Sequence, residues 1–114
     1  MKELEYYDPK FYGTDQYHKG ILSPLLHTDS VAYFCKEKRA YWLVDMVASY
    51  YRRLHKHNFA VITLIVDDNQ QAVFEARTDT IGDVIVRQKI QYTDLDVNVK
   101  LYFDSGVLMF PSDY

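Results

Sequence analysis

Hydrophobic and polar residues recur with two different periods along this chain, and the change falls near residue 58. Between Ala40 and His57 the polar Asp45, Ser49, Arg52 and Lys56 are spaced as on one helix face, and the apolar Leu43, Val47, Tyr50 and Leu54 share that spacing on the opposite side. This predicts one long amphipathic helix, with Trp42 and Leu43 in the core. Asn58 is the candidate residue just past its C-terminus, where the cations of the last turn suit the helix dipole. Ahead of it, Thr28-Asp29-Ser30 is an N-cap cluster, and a helix through Val31, Tyr33, Phe34 and Cys35 should run to about Arg39. Thr14 is expected to cap a short helix of about two turns that Ser23-Pro24 ends. Leu25-Leu26-His27 reads as a short strand or extended link, and residues 1–13 as irregular.

After Asn58 the period becomes two. Phe59 to Val66 is apolar on both alternating faces and predicts a central strand covered on both sides for part of its length. Residues 67–70 (Asp-Asp-Asn-Gln) form a turn. Ala72, Phe74 and Ala76 then alternate with Gln71, Glu75 and Arg77 in a half-exposed strand. Residues 78–83 turn the chain, and Val84, Val86, Ile90 and Tyr92 alternate with Arg87, Lys89 and Gln91. Pairing these two strands sets Glu75 opposite Arg87. Val99 to Phe103 and Val107 to Phe110 flank Asp104-Ser105-Gly106, a hairpin signal closed by Pro111. Helices first and strands afterwards predict an α+β fold: N-terminal helices packed on a C-terminal antiparallel sheet of four to five strands. The 114 residues fit one domain, 1–57 mainly helical and 58–114 mainly sheet.

Composition narrows the function classes. Cys35 is the only cysteine, so no intrachain disulfide can form, which suits a reducing compartment. The N-terminal Lys2-Glu3-Leu4-Glu5 is not an apolar leader, and no apolar run is long enough to span a bilayer as a helix, so a cytoplasmic protein without membrane contact is expected. The net charge of −3 is uneven. Residues 36–57 carry Lys36, Lys38, Arg39, Arg52, Arg53 and Lys56 against Glu37 and Asp45, whereas residues 67–114 carry 9 acids and 4 bases. A basic helical region facing an acidic sheet region lacks the chain-wide basic footprint of many nucleic-acid binders. Tyrosine is over-represented, with 11 in the chain. Such residues either fill core edges or form a contact surface.

Four stretches carry a resemblance. They are residues 12–17 (Tyr-Gly-Thr-Asp-Gln-Tyr), 27–29 (His-Thr-Asp), 40–50 (Ala-Tyr-Trp-Leu-Val-Asp-Met-Val-Ala-Ser-Tyr) and the ending from Val99 to Tyr114. Their order and content resemble a family of short, uncharacterised bacterial and phage proteins known as a domain of unknown function. The chain departs from the family's pattern at Ser30, where Gly is usual, and at Tyr51, where Gln is usual. The resemblance implies a setting in bacterial genomes, phages and mobile elements, and no activity.

No catalytic constellation is visible. His55-Lys56-His57 with Cys35 or His27 lacks the spacing of a zinc site, since a His-x-His pair at a helix end does not put both rings on one face. Cys35 lies in an apolar helical stretch and reads as an inert buried thiol. Asp45 has no second carboxylate beside it for acid–base work. No glycine-rich phosphate loop occurs. No cofactor, metal or enzymatic activity is expected. The candidate contact residues are Tyr6, Tyr7, Phe11, Tyr12, Tyr17, Arg52, Arg53 and Lys56. The expected function is a protein-binding module from a phage or mobile-element setting, which binds and inhibits or regulates a host defence or nucleic-acid-processing protein, as anti-CRISPR inhibitors do. The partner would be a host protein, such as a nucleoprotein effector. The alternative is a small RNA- or DNA-binding regulator that uses the basic helix end from Arg52 to His57.

Overall fold

The computed structural model describes residues 5–9, 16–20 and 23–114. Its elements are β1 (Tyr17–Lys19), β2 (Leu26–Thr28), α1 (Asp29–Lys38), α2 (Tyr41–Ser49), α3 (Tyr51–His55), β3 (Phe59–Val66), β4 (Ala72–Arg77), β5 (Val84–Ile90), β6 (Val99–Asp104) and β7 (Val107–Met109). A 3₁₀ turn, Pro111–Asp113, follows. The seven strands form one sheet in the order β1-β2-β7-β6-β3-β4-β5. The class is α+β, but the sheet is larger than four to five strands and is mixed, because β2 runs parallel to β7. The helices lie mid-chain, after two short strands, rather than at the N-terminus.

The C-terminal half follows its hydrophobic alternation closely. β3 is central and pairs antiparallel with β4 and β6. Ala60, Ile62 and Leu64 point to one face with Ala72, Phe74 and Ala76 from β4 and Val99, Leu101 and Phe103 from β6, all buried. Glu75 lies opposite Arg87 in the β4–β5 ladder. The β6–β7 hairpin turns at Ser105 and Gly106, both with positive φ, as the two central residues of a type I′ turn require. Gly106 is needed twice over, because a Cβ there would sit 3.0 Å from the Tyr51 hydroxyl.

The helical half departs from its pattern in two places. α1 starts where the cap cluster predicts: Thr28 is the N-cap and its hydroxyl accepts from the Val31 N–H. It ends at Arg39 with a left-handed φ of 54°, which turns the chain into α2. The long helix expected from Ala40 to His57 is instead broken at Tyr50 into α2 and α3. Ser49 donates to the Met46 carbonyl at 2.6 Å, a local bond that competes with the helical ladder. The predicted apolar face is nevertheless the buried one, since Leu43, Val47 and Leu54 are fully covered. Trp42 is only half-buried and packs at the rim of the core.

The helix expected from Thr14 is not found at residues 17–19, which form strand β1. Thr14 itself lies outside the described residues. Pairing settles the matter: β1 is antiparallel to β2, and Asp29 receives both the Gln16 N–H at 3.3 Å and the His18 ring at 2.7 Å. Long-range partners outweigh a local cap signal here.

The packing separates Leu43 from Trp42. Leu43→Ala should cost about 2–5 kcal/mol, as for other fully buried leucines. Trp42→Ala should cost less, because that side chain is only partly buried at the rim of the core. Urea denaturation of the two variants checks the order, and a larger loss at Trp42 would contradict this packing.

Candidate functional site

The helices cover one face of the sheet, and two adjacent tyrosines fix α3 there. Tyr50 stacks on Phe74 with ring centroids 5.9 Å apart and donates its hydroxyl to Gln88 of β5. Tyr51 meets Phe103 edge-on at 5.8 Å and stacks on His55 at 5.2 Å. With its tyrosines held inward, α3 turns Arg52 and Lys56 outward to solvent. Arg53 reaches across to β5. Its Nη2 donates to the Ile85 carbonyl at 2.6 Å, and its guanidinium lies 5.9 Å from the Tyr50 ring centre.

The end of α3 and the start of β5 enclose a groove of about 320 Å³, lined by Arg53, Lys56, His57, Asp83, Val84 and Ile85, with Thr78 at one end. β5 borders it and is the longer of the two edge strands among the described residues. Its ladder to β4 is shifted near Ala76 and Arg77, and Ile85 has no partner in that register. Arg87 and Lys89 stand exposed on its far half. Glu75 binds Arg77 at 2.5 Å and reaches Arg87 only at 3.6 Å, so Arg87 keeps most of its charge open to solvent. Three large apolar side chains bracket this edge: Ile81 is 93% exposed, Val84 44% and Tyr92 66%.

The other face of the sheet is uncovered over much of its area by the described residues. Cross-strand rows there read Arg87-Glu75-Thr63-Lys100 and Arg77-Val61-Tyr102-Met109. Phe59, Tyr102 and Tyr114 form an aromatic cluster at its lower corner, with centroids 5.2–5.9 Å apart.

The sequence-predicted contact residues therefore divide. Arg53 and Lys56 line the groove beside β5, and Arg52 is exposed on α3. Tyr6 lies on the open face, with the Lys100 ammonium 4.9 Å over its ring. Tyr7 turns the opposite way and closes the core, meeting Phe34 at 4.7 Å and Phe110 at 5.5 Å. Its hydroxyl is buried with no hydrogen-bond partner among the described residues, and burial, followed by Glu37, pushes its pKa up. Tyr17 is 61% exposed at the opposite sheet edge, on β1. Phe11 and Tyr12 lie outside the described residues. The sequence reading missed β5 as a site: its alternation was visible, but its position at the sheet edge was not.

The remaining chemical candidates are dispersed. Cys35 is fully buried in α1, and desolvation, with Asp45 nearby, pushes its thiol up to about 12. His27 is buried on β2 and stacks on His18 at 5.3 Å, and desolvation with the neighbouring imidazole lowers its pKa. Among the described residues, no three His, Cys, Asp or Glu side chains are grouped to hold a metal ion. No helix among the described residues is long and apolar enough to cross a membrane.

Fold and surface define an α+β protein with a mixed seven-stranded sheet which, among the described residues, has one open face and one long open edge. Residues 4–114 match the family of unknown function DUF6876, and the chain belongs to that family. No curated protein matches the chain, and no solved structure matches it.

Two outcomes follow from these placements. Tyr7→Ala should lower the melting temperature by roughly 5 °C or more. Tyr7→Phe should hold or raise it, because the ring stays and an unpaired buried hydroxyl goes. A differential scan of both variants checks the lid assignment. Cys35 should resist alkylation in the folded protein at pH 8, where its raised pKa keeps the thiol protonated and burial blocks access, and should react at once in urea. Rapid labelling of the native protein would contradict its burial.

Proposed function

We propose that this protein is a small binding module that docks on a host protein and inhibits or regulates it. The setting is that of phages and mobile elements. The target class is a host defence or nucleic-acid-processing protein, and the action is anti-CRISPR-like. The single observation that supports this reading is the basic end of α3 beside the open β5 edge. Arg53 and Lys56 line the groove with Val84, Arg52 is exposed on α3, and Arg87 and Lys89 stand exposed farther along the same strand on its open-face side, with Ile81 and Tyr92 near the ends of the strand. Arginine and aromatic side chains around a partly apolar groove are the composition of interface hot spots. The host origin of the target comes from the resemblance to phage and bacterial proteins.

A second reading has its own observation. The open sheet face carries Arg77, Arg87, Lys89 and Lys100 among Tyr6, Phe59 and Tyr102, the pairing of cations and stacking rings that single-stranded RNA or DNA uses.

Charge reversal at Arg52 and Arg53 separates them. In a pull-down from host lysate, Arg52→Glu with Arg53→Glu should weaken capture of one stoichiometric protein by about 30-fold, the equivalent of a 2 kcal/mol hot spot. Any affinity for a single-stranded oligonucleotide should change little. If the double variant keeps its protein partner, or if the only interaction found is salt-sensitive binding of RNA or DNA, the binding-module reading fails.

A further inference from the structure

The β5 edge specifies more than a general contact surface. In a sheet of order β1-β2-β7-β6-β3-β4-β5, the two outer strands are β1, with three residues, and β5, with seven. An edge strand leaves alternate N–H and C=O groups unpaired, and proteins usually blunt such an edge with a bulge, a covering loop or charge. All three devices are confined here to one end or one side. The register shift and the Arg53 bond to the Ile85 carbonyl occupy the first residues of β5. The strand from Val86 to Ile90 has no neighbour beyond it among the described residues. Its charges, Arg87 and Lys89, lie together on one face.

We infer that the β5 edge accepts an extended, acidic segment of a partner protein as an eighth strand, seated in the groove between β5 and the end of α3. The inference rests on the protein-binding reading above and names its docking element and the chemistry of its partner. Backbone groups of β5 supply the ladder, which gives affinity without regard to sequence, and side chains on either side supply selectivity. On the open face, Arg87 and Lys89 would oppose carboxylates of the incoming strand, since opposite charges directly across a ladder attract. Arg53 and Lys56 extend the same field along the helix side. Asp83, at the start of the groove, is the one acidic side chain lining it. Toward the helices, the partly buried Ile85, Ile90 and ring of Tyr50 would be covered by apolar side chains alternating with those carboxylates. A segment of alternating acidic and apolar residues therefore fits, and a basic one does not.

A second copy of this chain fits poorly. A two-fold antiparallel pairing centred on Arg87 or Lys89 sets that residue against itself. One centred on Gln88 sets Arg87 against Lys89. In each register like charges face each other directly, which destabilises the pair.

The test uses the full chain labelled for amide NMR and a synthetic peptide of about eight residues alternating Glu and Val, long enough to match a strand. The same peptide with Lys in place of Glu, and a third with backbone N-methyl groups at alternate positions, serve as controls. The Glu–Val peptide should bind, perturb the amides of residues 84–90, and slow their hydrogen exchange. The Lys and N-methyl peptides should bind at least about tenfold more weakly, having lost the charge match or the ladder. Arg87→Glu with Lys89→Glu, both exposed and so expected to fold, should exchange the preference to the Lys peptide. Equal binding of all three peptides, perturbations that map away from β5, or no binding at all would overturn the inference. So would dimerisation through β5 in sedimentation, or displacement of the Glu–Val peptide by a single-stranded oligonucleotide. A host protein captured through Arg52 and Arg53 while the peptide fails would leave the binding-module reading standing and remove only the strand-addition proposal.

Discussion

The carboxyl group of Asp113 ties the final turn to the start of α1, and the placement of α1 depends on it. Its Oδ2 accepts from the Thr28 hydroxyl at 2.9 Å, from the Ser30 hydroxyl, and from the Phe110 N–H at 3.1 Å. Thr28 and Ser30 are both buried, so each hydroxyl must find a partner or cost free energy. Thr28 is also the N-cap of α1 and the last residue of β2. One side chain thus joins a strand end, a helix start and the final turn. It does so beside the parallel β2–β7 pairing, which the Leu26 N–H to Gly106 carbonyl bond at 3.0 Å opens. Phe34 and Phe110 pack 5.8 Å apart behind it. The Pro-Ser-acid-Tyr ending is therefore a structural clasp: Pro111 starts the 3₁₀ turn, and that turn brings Asp113 back onto Phe110 and across to α1.

With α1 fixed, the break at Tyr50 follows from what the sheet demands of two neighbouring residues. On a straight helix, side chains at successive positions point about 100° apart and cannot both face one surface squarely. Tyr50 must reach Phe74 and Gln88, while Tyr51 must reach Phe103 and pass over Gly106. These targets lie on three different strands, β4, β5 and β6, and on the β6–β7 turn. Interrupting the helix lets both rings dock, and the Leu54 N–H still bonds the Tyr50 carbonyl at 3.1 Å, so the apolar face continues through to Leu54. The same break aims Arg53 at β5.

How much of this was legible in the sequence depended on how local the cause was. The β3, β4, β6 and β7 strands, the Glu75–Arg87 pair and the Asp104-Ser105-Gly106 turn are fixed by alternation and turn chemistry, and each was readable. The burial of Cys35, Leu43, Val47 and Leu54 followed from helical spacing. The parallel β2–β7 pair was not readable, because its two strands are three residues each and lie some 80 positions apart in the chain. β1 was hidden because it has only three residues and they carried a competing local helix signal. The break at Tyr50 escaped because the hydrophobic face is continuous across it. Among the contact candidates, the split between Tyr6 on the open face and Tyr7 in the core lid is a consequence of the Tyr6–Asn98 bridge, a contact with the far end of the chain.

The charge distribution acquires a different meaning once the topology is known. Read along the chain, it divides a basic helical region from an acidic sheet region. In the folded protein, four bases of that second region, Arg77, Arg87, Lys89 and Lys100, stand on the open sheet face, with Glu75 among them. Many of its acids fall in turns and loops: Asp67, Asp68, Asp79, Asp83, Asp94 and Asp96. Asp67 caps its own turn, accepting from Asn69 and Gln71, and Asp79 accepts from the Thr80 N–H. The acids serve the turns, and the cations of the strands are left to the surface. Strand cations on the outermost strand, with Arg53 and Lys56 across a groove, make a basic border along one side of a protein whose net charge is negative. Like charges disfavour pairing such a border with its own copy and opposite charges favour an acidic strand, which is the physical ground of the strand-addition proposal.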